Sequence, residues 1–360
     1  MPRDVLSLLL FSFAILWTAS VEMAVAETPP AAKPDPVLEE MKPCETGADP
    51  AARAVACTQL ITGGTLRGKA LGAAYVFRGK AQAQRREMKA AILDFSEALK
   101  VDPQATDALY NRGAAYALMG QTNSALADFA HLLDLAPNDA DTLFYRALIY
   151  VNQGKTEAAV KDLSAVLGQR PDDAISRLQR AGLLIALGRN EDAISDLNAL
   201  LKKEPTALDA LYNRGRAEML KGDNAAAADD FETVMQSRSN NPYAALRLTI
   251  TRGKAGNGKM DMAPLDAAAK AYPPEQWPLP IVAFYQGNLS EADLVAAARV
   301  RDAAATANLV AETQYYLGQW ALLQDDRKAA RRHFEAAVAS KAGAGNLEFI
   351  DAGLELKRLK

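Results

Sequence analysis

Between Gly72 and Asn241 the small and the bulky apolar positions of this chain fall into a frame that repeats every 34 residues. Units begin at Gly72, Thr106, Ala140, Ala174 and Leu208. In each, apolar residues return at helical spacing in two stretches joined by a short polar turn, which predicts two helices per unit. Position 8 is Gly79, Gly113, Ala147, Ala181 and Gly215, and position 20 is Ala91, Ala125, Ala159, Ala193 and Ala227. Small residues on facing helices let two backbones approach closely. The bulk sits at position 24, with Phe95, Phe129, Leu163, Leu197 and Phe231. Gly120, Gly154, Gly188 and Gly222 at position 15 predict a left-handed turn after the first helix. Thr122, Thr156, Asn190 and Asn224 at position 17 are expected to cap the second helix with their side chains. Pro103, Pro137, Pro171 and Pro205 at position 32 are expected to stop it. The first unit lacks the turn glycine, and its Gln82–Lys89 stretch is polar and charged instead.

A 34-residue period with these columns resembles the tetratricopeptide repeat family over 72–241. The resemblance implies an all-α fold, a right-handed superhelix (α-solenoid) of helix–turn–helix repeats, each covering its neighbour's apolar face. Two charged columns run through the same units. Position 7 is Arg78, Arg112, Arg146, Arg180 and Arg214; position 23 is Asp94, Asp128, Asp162, Asp196 and Asp230. They are expected to form a structural ladder of Arg–Asp pairs between adjacent helices, because a planar guanidinium suits a carboxylate. A basic stripe for an anionic ligand is the competing reading, and matched opposite charges argue against it.

The flanks add a destination. Residues 1–26 read as a secretory signal: Arg3 starts it, Val5–Trp17 is an apolar run too short to span a bilayer, and Ala24-Val25-Ala26 is a small-x-small cleavage site. Residues 27–48 read as a Pro-rich, extended linker, and 49–71 as an N-terminal capping helix region. Cys44 and Cys57 are the two cysteines. In an oxidising compartment they are expected to form a disulfide that clips the linker's end to a helix near Pro50–Ile61. The formal net charge of −3 leaves no basic footprint for nucleic acid or an anionic membrane. The expected home is the periplasm of a Gram-negative bacterium, with no stable membrane insertion after signal cleavage.

Residues 242–305 read as a degenerate repeat with connecting helices, and 306–360 as a terminal repeat with a last amphipathic helix covering the open end of the stack. Trp277-Pro278, Pro280, Phe284-Tyr285, Gly287, Ser290, Glu312 and Tyr315-Tyr316-Leu317-Gly318 are together similar to the matching segment of the NlpI lipoprotein family. That resemblance implies an envelope adaptor docking peptidoglycan hydrolases and a periplasmic protease. The chain lacks that family's lipobox cysteine.

No catalytic grouping emerges. His131 and His333 stand apart, no phosphate loop or serine elbow occurs, and no cofactor or metal is expected. Binding is the reading that remains. By the family resemblance, first helices line a concave groove. Position 5 is Val76, Tyr110, Phe144, Leu178 and Tyr212, and position 12 ends at Met219. Val76, Tyr110, Phe144, Leu178, Tyr212 and Met219 are therefore the candidate groove residues. The groove is expected to be apolar and aromatic, suited to a peptide or helix of an envelope protein. The aliphatic members serve equally well as helix–helix core. The alternative function is a self-assembling structural or secretion-linked scaffold, whose groove takes the linker or last helix of another copy.

Overall fold

The computed structural model describes residues 36–237, 241–256, 258–343 and 345–359; the expected signal and the start of the expected linker lie outside them. Among the described residues there are nineteen α-helices and no strand. They fall into two units.

The first unit runs to Gln153, with residues 168–170. It holds α1 (Pro36–Thr46), α2 (Pro50–Gly63), α3 (Gly68–Gln84), α4 (Met88–Val101), α5 (Thr106–Leu118), α6 (Thr122–Leu135) and α7 (Ala140–Asn152). The expected extended linker is helical over α1 in spite of Pro43 inside it. Met41 and Cys44 fall three residues apart and are both buried. Met41 packs with Leu66 and Ala74, and Cys44 is disulfide-bonded to Cys57 of α2. Tertiary burial and a covalent clip together outweigh the missing proline donor.

The second unit holds α8 (Thr156–Gln169, apart from its last residues), α9 (Ala174–Ala186), α10 (Asn190–Lys203), α11 (Leu208–Lys221), α12 (Asn224–Ser237), α13 (Pro242–Ala255) and α14 (Ala263–Ala271). Then follow α15 (Leu279–Tyr285), α16 (Glu291–Ala297), α17 (Ala303–Leu323), α18 (Arg327–Ala339) and α19 (Leu347–Arg358). Ser290 caps α16, accepting from Asp293 N at 3.1 Å. In the proline-rich stretch before it, Leu279–Tyr285 is helical with Pro280 in its first turn.

The packing columns explain one another. A Cβ on Gly79 would stand 2.6 Å from the Phe95 ring, on Gly113 2.6 Å from Phe129, on Gly215 3.0 Å from Phe231 and on Gly318 2.5 Å from Phe334. In these four units the ring occupies the volume a side chain would need. Where position 8 is alanine (Ala147, Ala181), position 24 is leucine (Leu163, Leu197). The two columns thus trade volume.

The turns after α5, α7, α9 and α11 are left-handed, at Gly120, Gly154, Gly188 and Gly222. Arg86 (φ 64°) and Asp325 (φ 58°) adopt the same conformation in the units that lack the glycine. The expected position-17 caps do not form. Thr122, Thr156, Asn190 and Asn224 are each the first helical residue, one step past the cap, and Asn224 donates to Gly222 O at 3.3 Å instead. The residue before carries the cap where it is able to: Asp223 accepts from Ala226 N and Asp326 from Ala329 N.

The charged columns form a ladder. Arg78 binds Asp94 through two hydrogen bonds of 2.7 Å, and Arg112–Asp128, Arg180–Asp196 and Arg214–Asp230 repeat the bidentate geometry at 2.6–2.9 Å. The aspartates are buried and the arginines half-buried. Arg146 lies in the first unit and Asp162 in the second. Each remaining guanidinium N–H reaches the repeat before: Arg112 to Ser96 Oγ, Arg180 to Ser164 Oγ and Arg214 to Asn198 Oδ1, at 2.7–3.0 Å. Arg78 uses Thr58 of the cap in the same way, at 3.2 Å. The ladder therefore joins repeats as well as the helices within them.

Candidate partner-binding groove

Each unit has its own row of first helices. In the first unit these are α3, α5 and α7. Val76 does not line a free surface; it is buried against Phe95, Ala91 and Ala98. A β-branched residue at the crossing of α3 with α4 serves the core. Tyr110 and Phe144 are half-buried. The Tyr110 ring stands 5.7 Å from Tyr145, edge-on, and 6.4 Å from Phe129. Burial, reinforced by the hydrogen-bonded Tyr145, pushes its hydroxyl well above the usual range. Phe144 meets Tyr145 edge-on at 5.8 Å. The polar edge of this row is Lys80 bonded to the exposed Asp107 at 2.7 Å.

In the second unit the first helices are α9, α11, α13 and α17, and their row is already filled. The last helix, α19, packs against α9, α11, α17 and α18. It packs most against α18 and α17 of the terminal repeat, and it also reaches along the row to α9 and α11. Leu354 stands 3.4 Å from where a Cβ of Gly188 would be, and Arg358 equally near Gly222. Those glycines close α9 and α11, so α19 follows the first-helix turns from one repeat to the next. Met219 is accordingly buried, and Leu178 and Tyr212 are half-buried.

The seam beneath α19 is largely ionic, with Ala352 and Leu354 buried beside the charges. Glu348, Asp351 and Glu355 share one face of the helix and are all buried. Asp351 accepts from Arg216 Nη2 at 2.7 Å and Nε at 3.3 Å, and from Arg247 Nη2 at 2.9 Å. Arg247 also donates to Glu348 at 3.0 Å and to the hydroxyls of Tyr212 at 2.9 Å and Tyr315 at 3.3 Å. Its guanidinium lies over both rings, 5.6 and 5.4 Å from their centroids. Glu355 accepts from Gln319 and Arg358 at 3.0 Å, and Lys254 is 3.8 Å away. Arg216, Arg247 and Asp351 are 2 %, 0 % and 0 % exposed, so these charges have no water to fall back on. Burial pushes the Asp351 carboxyl up, but the charges and hydrogen bonds of Arg216 and Arg247 outweigh it and hold it below the usual carboxylate range.

The sequence reading did not single out Arg216, Arg247, Glu348, Asp351 or Glu355. The available signal was the acidic i, i+3, i+7 spacing of residues 348, 351 and 355, on the face opposite the most apolar positions. A second cluster ties the start of α19 down. Glu312 accepts from Trp277 Nε1 at 2.7 Å, Tyr243 Oη at 2.8 Å and Asn346 Nδ2 at 3.3 Å. Trp277 thus anchors the seam's edge as well as filling space. Among the described residues no group of acidic, histidine or cysteine side chains is arranged to hold a metal, and no helix is long and apolar enough to cross a membrane.

Tetratricopeptide repeat models match residues 119–174, 144–198 and 178–242, and a further TPR repeat model matches 79–120. Among solved structures, YrrB, described as a TPR protein with an unusual peptide-binding site, is similar at 20 % identity and TM-score 0.49. The match covers 53 % of this chain and 96 % of that one. A tetratricopeptide repeat protein from Parabacteroides merdae is similar at 17 % identity and TM-score 0.46, over 89 % and 98 %. The C-terminal part of a TPR repeat-containing protein from Cytophaga hutchinsonii is similar at 13 % identity and TM-score 0.49, over 77 % and 98 %. The helix pairs within residues 79–242 are tetratricopeptide repeats.

Proposed function

We propose that this protein is a non-catalytic scaffold of the bacterial periplasm that holds a peptide or helix of a partner protein on its first helices. The observation that carries this reading is α19: the first helices of the second unit already hold an amphipathic helix through charge-assisted bonds. A surface built that way recognises helices. The matching row in the first unit, with exposed Asp107 and half-buried Asn111, Tyr110 and Phe144, is the proposed site for the partner. Export is supported by the signal-like residues 1–26 and by the Cys44–Cys57 disulfide. The C-terminal resemblance makes peptidoglycan hydrolases and periplasmic proteases the first partners to seek.

The test is crosslinked affinity purification from the envelope with wild type and with Asp107→Ala/Phe144→Ala, matched by circular dichroism. A hydrolase or protease recovered with wild type and lost with the variant supports the reading. Equal recovery with both removes the first-unit row as the site. Recovery of the chain alone, with mass rising with concentration, favours the self-assembling scaffold.

A further inference from the structure

The ionic seam is more than α19 requires to finish the fold. A helix whose sole task is to complete a core is held at least as well by apolar residues, because buried ion pairs gain little over a packed hydrophobic contact. What such pairs provide is discrimination: a helix without matching carboxylates leaves buried arginines unpaired. Here two arginines and Lys254, on α11 and α13, meet three carboxylates spaced 348, 351 and 355 on α19. Tyr212 and Tyr315 each hold the Arg247 guanidinium by a hydrogen bond and a ring contact, independently of α19. The receptor half of the seam is therefore organised by residues of the repeats themselves. The ligand half arrives on a short connection, residues 340–346, in which Lys341 is left-handed (φ 59°), Gly343 N donates to Asn308 Oδ1 at 3.1 Å and Gly343 O accepts from Asn346 N at 2.9 Å.

We propose that the row formed by α9, α11, α13 and α17 is a receptor for an amphipathic helix with acidic residues at i, i+3 and i+7, that α19 is its resident ligand, and that a partner helix of this chemistry binds when α19 leaves. The inference deepens the scaffold reading but stands on different residues, so either fails without the other. Charge complementarity selects the occupant: Arg216 and Arg247 are deep in the row, and an apolar or basic helix would strand them.

The test uses the full chain and a fluorescent peptide of residues 346–360. Wild type, its row filled, should bind the peptide weakly. The full-length Asp351→Asn chain, with a weakened resident helix, should bind it at least ~10-fold more tightly, since a competitor's hold sets the apparent affinity. Adding Arg247→Met to that chain should abolish binding, and a peptide carrying Asp351→Asn should not bind. A second form protects the test against misfolding: a protease site placed in 341–345 and cut after folding, so that excess peptide displaces the severed helix. If the folded Asp351→Asn chain gains no affinity, or the severed helix never exchanges, α19 is a fixed structural element and the proposal falls. Exchange of α19 between two copies, seen as a concentration-dependent dimer, would overturn the partner assignment in favour of a second copy of this chain.

Discussion

At Gly113 the absence of a side chain is set by a residue sixteen positions away. The Phe129 ring takes the space, so Gly113→Ala should destabilise the first unit by about 1–3 kcal/mol through overpacking, measured by urea denaturation. Phe129→Leu in the same chain should recover part of that loss, because Ala with Leu is the combination found at 181 and 197. The columns were each legible in the sequence, but their trade in volume was not: a column shows what recurs, not what it faces. Asp325 offers the converse test. It holds a left-handed turn that glycine adopts freely, and Asp325→Gly should raise stability by roughly 0.5–1 kcal/mol. The position-17 caps failed for a local reason. A frame one residue out changes a capping residue into a first-turn residue, and helix boundaries read from sequence carry that error.

Among the elements, α19 departs most from its sequence reading. Of its apolar residues Phe349, Ile350, Leu354 and Leu356 only Leu354 is buried, while Glu348, Asp351 and Glu355 face inward beside it. Hydrophobic periodicity locates a buried face only when that face is apolar. The consequence is testable by acid. Asp351 titrates below its unfolded value, so its stabilising contribution is complete above pH ~4 and is lost as pH falls through its depressed folded value. Hydrogen exchange of 347–358 should stay slow from pH 7 to about 4 after correction for intrinsic rates, then accelerate at lower pH. Arg247→Ala should cost about 3–5 kcal/mol, since it leaves Glu348 short of a partner and Asp351 with one arginine. Helix α1 departs in the other direction: five prolines between 29 and 43 read as a linker, and the buried Met41 and the disulfide outweigh them from Pro36 on.

For the molecule, the two units differ in how their helices are joined. In the first, packing runs between helices near in sequence, such as α3 with α4 and α5 with α6. In the second, α19 returns to α9 and α11, joining residues separated by 135 positions at Arg216 and Asp351. Nearest-neighbour stacking gives graded stability, while a return contact makes a set of repeats rise and fall together. Native-state hydrogen exchange in rising urea should therefore show a staircase of opening energies across 36–153, one shared value for α9, α11 and α17, and a lower value for α19, which leaves the row while the repeats stay folded. The repeats were readable because a period of 34 states which residues are neighbours. The return of α19 was not, because a single contact across the chain leaves no period.

That return also sets an order in time. A polypeptide is made and threaded from its N-terminus, so the carboxylates of α19 are the last part of the seam to emerge. Until then Arg216 and Arg247 stand without their counter-charges, and the second unit stays unfinished however well its repeats have stacked. A premature stop between Ala339 and Glu348 would spare every repeat and still leave the chain in that juvenile state, a ready substrate for quality control.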